Sequence, residues 1–323
     1  MKLDEKDEII KFLNKKEIVK SIYEIPREAS TRIYFRIEYE NYKRILCFDD
    51  KFISEEYPFL LVQNFLNKNE FRVPEIIDFD LNLKIILQSD VGENDLTLLS
   101  ESDYETRLKE SIELIIKLQN LKPIPIIESR SFDYNKLSFE SNHTISAYER
   151  LKENQKLGNE VPLEVKNFID DCNTELSKYP NKVICHRDYH ARNIMIQSNG
   201  ELAWIDFQDM MMGTPYYDIV SILYDAYKPL PLTIREKYYT YFKESIPLKK
   251  RTFREYYLLQ AFQRSFKALG TYFVMFNDKG YMKYKASIPI CLNNLIEIVQ
   301  LGKFPDSLYL FLSDMKNKWE DQM

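Results

Sequence analysis

The sequence predicts an α+β chain of two lobes, a small N-terminal lobe built on a sheet and a larger, mostly helical C-terminal lobe. Three observations carry that expectation. The chain has 323 residues, which at roughly 150 per domain is enough for two. Between residues 33 and 39 apolar and polar residues alternate, and short strand candidates follow at 44–48, 74–79 and 84–88. Beyond about residue 95 apolar residues recur at three and four, the spacing of one helix face. The change falls at Ser89-Asp90-Val91-Gly92, so the expected lobes are 1–91 and 92–323.

Taken in order, Asp7 to Ile22 carries Ile9, Ile10, Leu13, Ile18, Val19 and Ile22 at near-helical spacing and reads as a first helix. After Pro26 the period becomes two. Ile33, Phe35, Ile37 and Tyr39 alternate with Arg32, Tyr34, Arg36 and Glu38, a half-buried strand, and Arg44 to Phe48 returns as a second one after a turn at Asn41. A helix from Pro58 to Asn67 follows, then strands at Pro74–Phe79 and Lys84–Gln88. Helices are expected at Tyr104–Leu121, Tyr134–Leu157 and Val161–Leu176 and, after Pro215, at Tyr216–Tyr227, Ile234–Lys243, Phe253–Phe276 and Ser287–Val299. Between these two groups lies a compact β insertion. Val183-Ile184-Cys185 is a short apolar run, and Ile194-Met195-Ile196 and Leu202-Ala203-Trp204-Ile205 flank Ser198-Asn199-Gly200. Asn-Gly between apolar runs is a strong hairpin signal because both residues accept positive φ.

Composition removes several classes of function. Lys and Arg number 45 against 50 Asp and Glu, a net charge of −5 with no basic tail, so the chain lacks the cationic surplus of a nucleic-acid binder. Only seven glycines occur, the first at Gly92, which excludes a glycine-rich dinucleotide fingerprint or P-loop in the first lobe. Cys47, Cys172, Cys185 and Cys291 lie far apart with no Cys-x-x-Cys pair, and read as buried reduced thiols. The acidic, amphipathic start lacks a signal-peptide pattern, and no stretch approaches the roughly 20 apolar residues of a membrane span. A cytoplasmic protein without a membrane or nucleic-acid partner is expected.

The chemistry converges on the hairpin. His186-Arg187-Asp188-Tyr189-His190-Ala191-Arg192-Asn193 precedes it and Asp206-Phe207-Gln208-Asp209 closes it. The spacing matches the catalytic loop of kinases: His-Arg-Asp, an Asn five positions after the Asp, a hairpin and a second Asp. Phosphoryl transfer asks a protein mainly for positioning and charge neutralisation. One carboxylate, Asp188, orients the acceptor hydroxyl and accepts its proton. Asn193 and Asp206 offer the hard oxygens that Mg²⁺ takes while it bridges nucleotide phosphates. Read one at a time, these Asp residues are ordinary turn caps; two of only three histidines in the same octet, and the order of loop, hairpin and second Asp, argue for the site. Gly213-Thr214-Pro215 leads almost directly into the next helix, which leaves no room for a peptide platform and points to a small-molecule acceptor. Asp218, in the first turn of that helix, is a candidate brace for the loop backbone.

These motifs resemble the aminoglycoside-phosphotransferase-like kinases. The octet, Ile205-Asp206-Phe207-Gln208-Asp209, and Tyr217-Asp218-Ile219-Val220-Ser221 with Asp225 are similar to the bacterial anomeric N-acetylmuramate/N-acetylglucosamine kinases of cell-wall recycling. Ala29-Ser30-Thr31-Arg32 with Tyr34-Phe35-Arg36, the segment at Ser89–Gly92, Phe132-Asp133 with Glu140, and Gln263-Arg264 with Lys267 and Leu269-Gly270 agree with that group. The resemblance spans about residues 25–300 and implies a bilobal protein-kinase-like fold that uses ATP and Mg²⁺. It implies that 1–91 binds the nucleotide and 92–323 carries catalysis and the substrate. Ser30, Thr31, Arg32, Gln88 and Asp90 are then candidates for nucleotide contacts, and Glu140, Arg192, Asp209, Arg264 and Lys267 for substrate contacts.

Two departures stand out. Kinases usually place a lysine on the third strand to grip phosphates, whereas here the strand reads Ile45-Leu46-Cys47-Phe48-Asp49. Arg32 or Arg36 is a candidate to replace that charge, although both lie on the polar face of their strand, where surface arginines are common. The nucleotide loop, Glu28-Ala29-Ser30-Thr31, has small residues but no glycine. As acceptor an amino sugar is expected over a polycationic aminoglycoside, since Arg264 and Lys267 share a helix face; on the residues alone a solvated basic face explains that pair equally well. An aminoglycoside, choline or homoserine kinase, and a catalytically silent nucleotide-binding module, are the other readings.

Overall fold

The structure is a computed structural model, and it describes residues 3–15, 17–26, 32–155, 158–247 and 252–321. In chain order the first elements are α1 (Leu3–Leu13), β1 (Ser21–Glu24), β2 (Ile33–Glu38), β3 (Lys43–Phe48), α2 (Pro58–Lys68), β4 (Ile76–Asp80) and β5 (Ile85–Ser89). Next come α3 (Glu101–Gln119), α4 (Pro125–Glu128), α5 (Tyr134–Gln155) and α6 (Leu163–Ser177). The middle of the chain holds β6 (Val183–Cys185), β7 (Ile194–Ile196), β8 (Leu202–Trp204) and β9 (Met211–Gly213). The remainder is helical: α7 (Tyr217–Leu223), α8 (Leu232–Ser245), α9 (Phe253–Phe273), α10 (Ser287–Gly302) and α11 (Asp306–Glu320). The chain divides into two compact units, Met1–Asp95 with Asn193–Asp209, and Leu96–Arg192 with Met210–Met323. The hairpin therefore groups with the first unit, whereas the division at residues 91 and 92 assigns it to the second.

In the first unit five antiparallel strands are ordered β1-β2-β3-β5-β4. The register Tyr34↔Cys47↔Ile86 and Arg36↔Ile45↔Gln88 puts these residues on one face. Phe35, Ile37, Leu46, Ile85 and Leu87 fall on the other face, where they pack with Ile9, Phe12 and Leu13 of α1. The alternation along β2 thus records a sheet with a core under one side. The hairpin β7–β8 adds a small second core of Val91, Met195 and Ala203, and Phe207 stacks on Phe59 of α2 with ring centres 5.0 Å apart. The connection is the five residues 197–201, with only Gly200 at positive φ (84°); Asn199 instead accepts a bond from the Glu201 N–H.

Three expectations need correction. The first helix stops at Leu13, and Ser21–Glu24 joins the sheet edge instead, paired with Phe35–Glu38. Ile18 and Ile22, the residues that extended the helical pattern, are exposed, so their spacing reports no buried face. The helix expected at Tyr216–Tyr227 ends at Leu223, because the Asp225 carboxylate accepts the Tyr227 N–H and turns the chain ahead of Pro229. Helix α9 ends at Phe273 and passes into a wider turn over Val274–Asp278.

In the second unit α9 packs against α5, α6, α7 and α10, and buries Tyr257, Leu258, Ala261, Phe262, Phe266 and Leu269. Its approach to α5 depends on Gly270. A Cβ there would stand 2.3 Å from Thr144 Oγ1 and 2.7 Å from Thr144 Cα, while the Thr144 hydroxyl bonds the Phe266 carbonyl at 3.1 Å. Among the described residues no helix is long and apolar enough to cross a membrane. Gly270→Ala should therefore overpack the α5–α9 contact and cost about 1–3 kcal/mol of stability. Urea denaturation reads this as a lower midpoint; an unchanged midpoint contradicts so close an approach.

Candidate active site

The segment His186–Asn193 runs from the end of β6 into β7, and buried carboxylates pin its backbone. Asp218, fully buried at the start of α7, accepts the His186 N–H at 2.7 Å and the Arg187 N–H at 3.0 Å. Asp225 accepts the Ala191 N–H at 2.8 Å. Arg187 sits at φ 82°, a left-handed conformation that costs a residue with a Cβ about 1–2 kcal/mol, and the bond from its own N–H helps to hold it there. Burial pushes the Asp218 carboxyl up to about 7 despite the two N–H donors, and pushes Asp225 up to about 6. Asp218 thus braces the loop as the sequence proposes.

Asp188 is half-buried among cations of the second unit. Lys267 Nζ of α9 lies 3.3 Å from its Oδ1, with Arg187 and Arg264 nearby. Burial acts to raise the Asp188 carboxyl, but Lys267, Arg187 and Arg264 outweigh it and hold the group ionised, well below the usual carboxylate range. Burial pushes His190 down to about 3, so its imidazole is neutral. Arg264 is buried, bonds Ser221 Oγ through Nε at 2.9 Å, and faces the Tyr217 ring. Glu140 of α5 receives a bond from Gln263 at 3.4 Å, with Lys136 at 3.4 Å and Arg187 at 3.9 Å. The structure thus gathers Asp188, Glu140, Arg264 and Lys267, all four anticipated, around Arg187. Arg192 lies over the Tyr227 ring at 4.8 Å, and Asp209 falls in the other unit.

The cavity of the first unit holds about 350 Å³, within the roughly 300–1,000 Å³ of small-molecule sites. Its walls are apolar where Ile45, Val91, Met195 and Ile205 approach, and polar at Gln88, Asp90, Arg36 and Asp206. Gln88 is buried, and its Oε1 has no hydrogen-bond partner among the described residues. Asp90 is held by Arg36 at 2.6 Å and accepts the Gly92 N–H at 2.9 Å. Asn193 and Asp206 emerge from adjoining ends of the hairpin. The Ile205 N–H bonds the Asn193 carbonyl at 3.1 Å, and Asp206 follows at φ 58°. Arg32 does not line this cavity; it pairs with Asp49 at 2.9 Å. Ser30 and Thr31 lie outside the described residues. The polar side of this segment is no solvated surface, since Arg32, just before β2, and Arg36 within it are both ion-paired and their side chains are only 16 and 18 % exposed.

Two contributions escaped the sequence reading. The Asp225 bond to Ala191 comes from a residue that the resemblance names without a role, in the turn just beyond the end of α7. The Arg32–Asp49–Tyr57 cluster joins β2, the end of β3 and the start of α2, and no local pattern announces it.

The model of the APH family, described as a phosphotransferase enzyme family, matches residues 21–256. The N-acetylmuramate/N-acetylglucosamine kinase of Neisseria meningitidis serogroup B is 26 % identical over 307 residues, covering 89 % of this chain and 88 % of the relative. The kinase of the same name from Pseudomonas putida is 23 % identical, over 86 % and 83 % of the two chains. Among solved structures, the spectinomycin phosphotransferase APH(9)-Ia, with ADP and spectinomycin, is similar at a TM-score of 0.61 and 14 % identity, covering 93 % of this chain and 98 % of that one. The choline kinase LicA of Streptococcus pneumoniae is similar at 0.60 and 12 %, covering 94 % and 99 %. These likenesses establish the protein-kinase-like α+β fold, with an N-terminal antiparallel sheet and a largely helical C-terminal part.

The raised carboxyl of Asp218 has a pH signature. Folded, it keeps its proton up to about pH 7, while unfolded it releases it near 3.8, so its contribution to stability is full below about pH 4 and is lost as pH rises through 7. The stability gap between the wild type and Asp218→Asn, measured by urea denaturation, should shrink from pH 4.5 to 7.5. A gap that widens contradicts this assignment.

Proposed function

This chain belongs to the APH phosphotransferase enzyme family, and on that premise we propose that it moves the γ-phosphoryl group of ATP to the anomeric hydroxyl of N-acetylmuramate or N-acetylglucosamine. Phosphoryl transfer from ATP to a small-molecule hydroxyl is the activity of the family and of the kinases it resembles. The choice of acceptor rests on the relatives' names and on one observation, the charge around Asp188. Lys136, Arg187, Arg264 and Lys267 face Asp188 and Glu140, four cations against two carboxylates. Such a surface repels a polycationic aminoglycoside or choline, and it suits a sugar that carries a carboxylate or an amide.

In this reading Asp188 orients the acceptor hydroxyl and receives its proton. A carboxylate held so far below its ordinary range is a weak base, which suits a reaction governed by placement more than by basicity. Glu140, held by Gln263, accepts a hydrogen bond from a sugar hydroxyl, and Arg264 and Lys267 meet the acidic substituent. Arg192 and Asp209 are further substrate contacts in this proposal. The adenine base takes the apolar cavity of the first unit, where the buried Gln88 Oε1 and the segment Asp90–Gly92 offer polar partners.

Asn193 and Asp206 fit Mg²⁺, since both carry hard oxygens at adjoining hairpin ends. No group of three or more His, Cys, Asp or Glu gathers among the described residues, and Mg²⁺ on a nucleotide needs only one or two protein oxygens. The bound ion would neutralise phosphate charge. Use of ATP and four buried thiols support a cytoplasmic location.

Incubating the protein with ATP and, in turn, N-acetylmuramate, N-acetylglucosamine, kanamycin, choline and homoserine tests the proposal. Phosphorylation of the amino sugars with loss of their reducing end is expected, and turnover of kanamycin or choline alone overturns it. Asp188→Asn should lower kcat about 10²–10⁴-fold with ADP binding intact; a variant with unchanged kcat removes Asp188 from the chemistry. Lys267→Met should lower kcat/KM for N-acetylmuramate more than for N-acetylglucosamine, by about tenfold. Equal losses assign Lys267 to Asp188 alone.

A further inference from the structure

The lysine of strand β3, Lys43, stands exposed at the strand's start and is paired with Glu38 and Glu93, and the same face of the sheet carries a half-buried cation, Arg32, farther along. Ile45 lines the cavity, and Cys47 lies two residues on, on the same face of the strand. Across the ladder from Cys47 is Tyr34, which also lines the cavity. Tyr34 interacts electrostatically with both the Arg32 guanidinium and the Cys47 thiol, and Asp206 acts on both Tyr34 and Cys47. Arg32 Nε is anchored by Asp49 at 2.9 Å and by the Tyr57 hydroxyl at 3.3 Å, and Tyr57 itself donates to Asp49. Asp49 is only 4 % exposed and also accepts the Lys51 N–H at 2.9 Å, so the anchor is fixed. Arg36, the other candidate, is committed to Asp90 at 2.6 Å and Glu93 at 2.8 Å, beside the chain segment that leaves the sheet.

We propose that Arg32, held by Asp49 and Tyr57, supplies from the residue just before β2 the phosphate-gripping charge that kinases usually place on the third strand, and that Arg36 does not. This rests on the phosphotransferase reading above. An ion-paired cation of this kind repeats the logic of the usual site, in which the lysine is itself held by a carboxylate while it meets the phosphates. The guanidinium adds a planar fork of donors suited to phosphate oxygens. Strand β3 can then carry a small, uncharged Cys47 without loss of the positive charge.

Titration calorimetry with ADP and with adenosine tests the assignment, since only ADP carries phosphates. Because Arg32→Met alone would leave Asp49 buried without its cation, the variant used is Arg32→Met with Asp49→Asn. It should bind ADP about 10- to 100-fold more weakly than the wild type and bind adenosine unchanged. Adding Cys47→Lys should restore most of the ADP affinity by returning the charge to β3. Unchanged ADP affinity in the double variant, or equal weakening of both ligands, overturns the assignment of Arg32. A wild type that shows no preference for ADP over adenosine overturns it together with the phosphotransferase reading on which it rests. An Arg36→Met variant that loses ADP affinity while adenosine binding holds transfers the role to Arg36 and also overturns the proposal.

Discussion

The second unit is organised around the acceptance of backbone N–H groups by buried carboxylates. Asp218 takes two of them from His186 and Arg187, and Asp225 takes one from Ala191. A loop of this kind has no ladder or helix to satisfy its donors, and each donor left unpaired in the interior would cost about 1–3 kcal/mol. The carboxylates remove that cost and fix the direction in which Asp188 leaves the chain. Their own desolvation is the opposing expense, visible in carboxyls that hold protons to pH 6 or 7. Arg187 in a left-handed conformation is the local strain that this arrangement tolerates.

Charge is distributed differently in the two units. In the second, cations outnumber carboxylates near Asp188, and the carboxylate is held ionised by its surroundings. In the first, each arginine on the cavity face of the sheet has a carboxylate of its own, Asp49 for Arg32 and Asp90 for Arg36. The apolar half of the cavity is made by residues of the sheet and of the hairpin together, Ile45 with Met195 and Ile205. The sheet can be this polar on one side because α1 seals the other.

Legibility in the sequence followed the range of the interactions. Strand β2 could be read from its alternation because each side chain reports its own face, and α3, α5 and α9 from periods long enough to average over exceptions. The octet around Asp188 was legible because its spacing is set by local geometry. Strand β1 was not, since its place at the sheet edge depends on backbone pairing with Glu38, and side-chain pattern does not record that. Strand β9, at three residues, is too short to have a period and exists because Cys185 and Met211 pair across an intervening hairpin. The same applies to charge. That Arg36 lines a cavity, and that Arg32 and Arg36 each hold a carboxylate far away in sequence, could be learned only once the strands were in register.

The hairpin Asn193–Asp209 belongs to a unit whose other residues are the first ninety-five. Phe71 packs on Trp204, Phe59 on Phe207, and the Trp204 N–H bonds the Arg72 carbonyl, so part of that unit's interior is encoded about a hundred and thirty residues downstream of the rest. During synthesis on the ribosome, the N-terminal sheet emerges long before these aromatic rings exist. It must wait, incompletely covered, until residue 209 has left the exit tunnel, and neither unit corresponds to a single stretch of message that could be shuffled intact between genes.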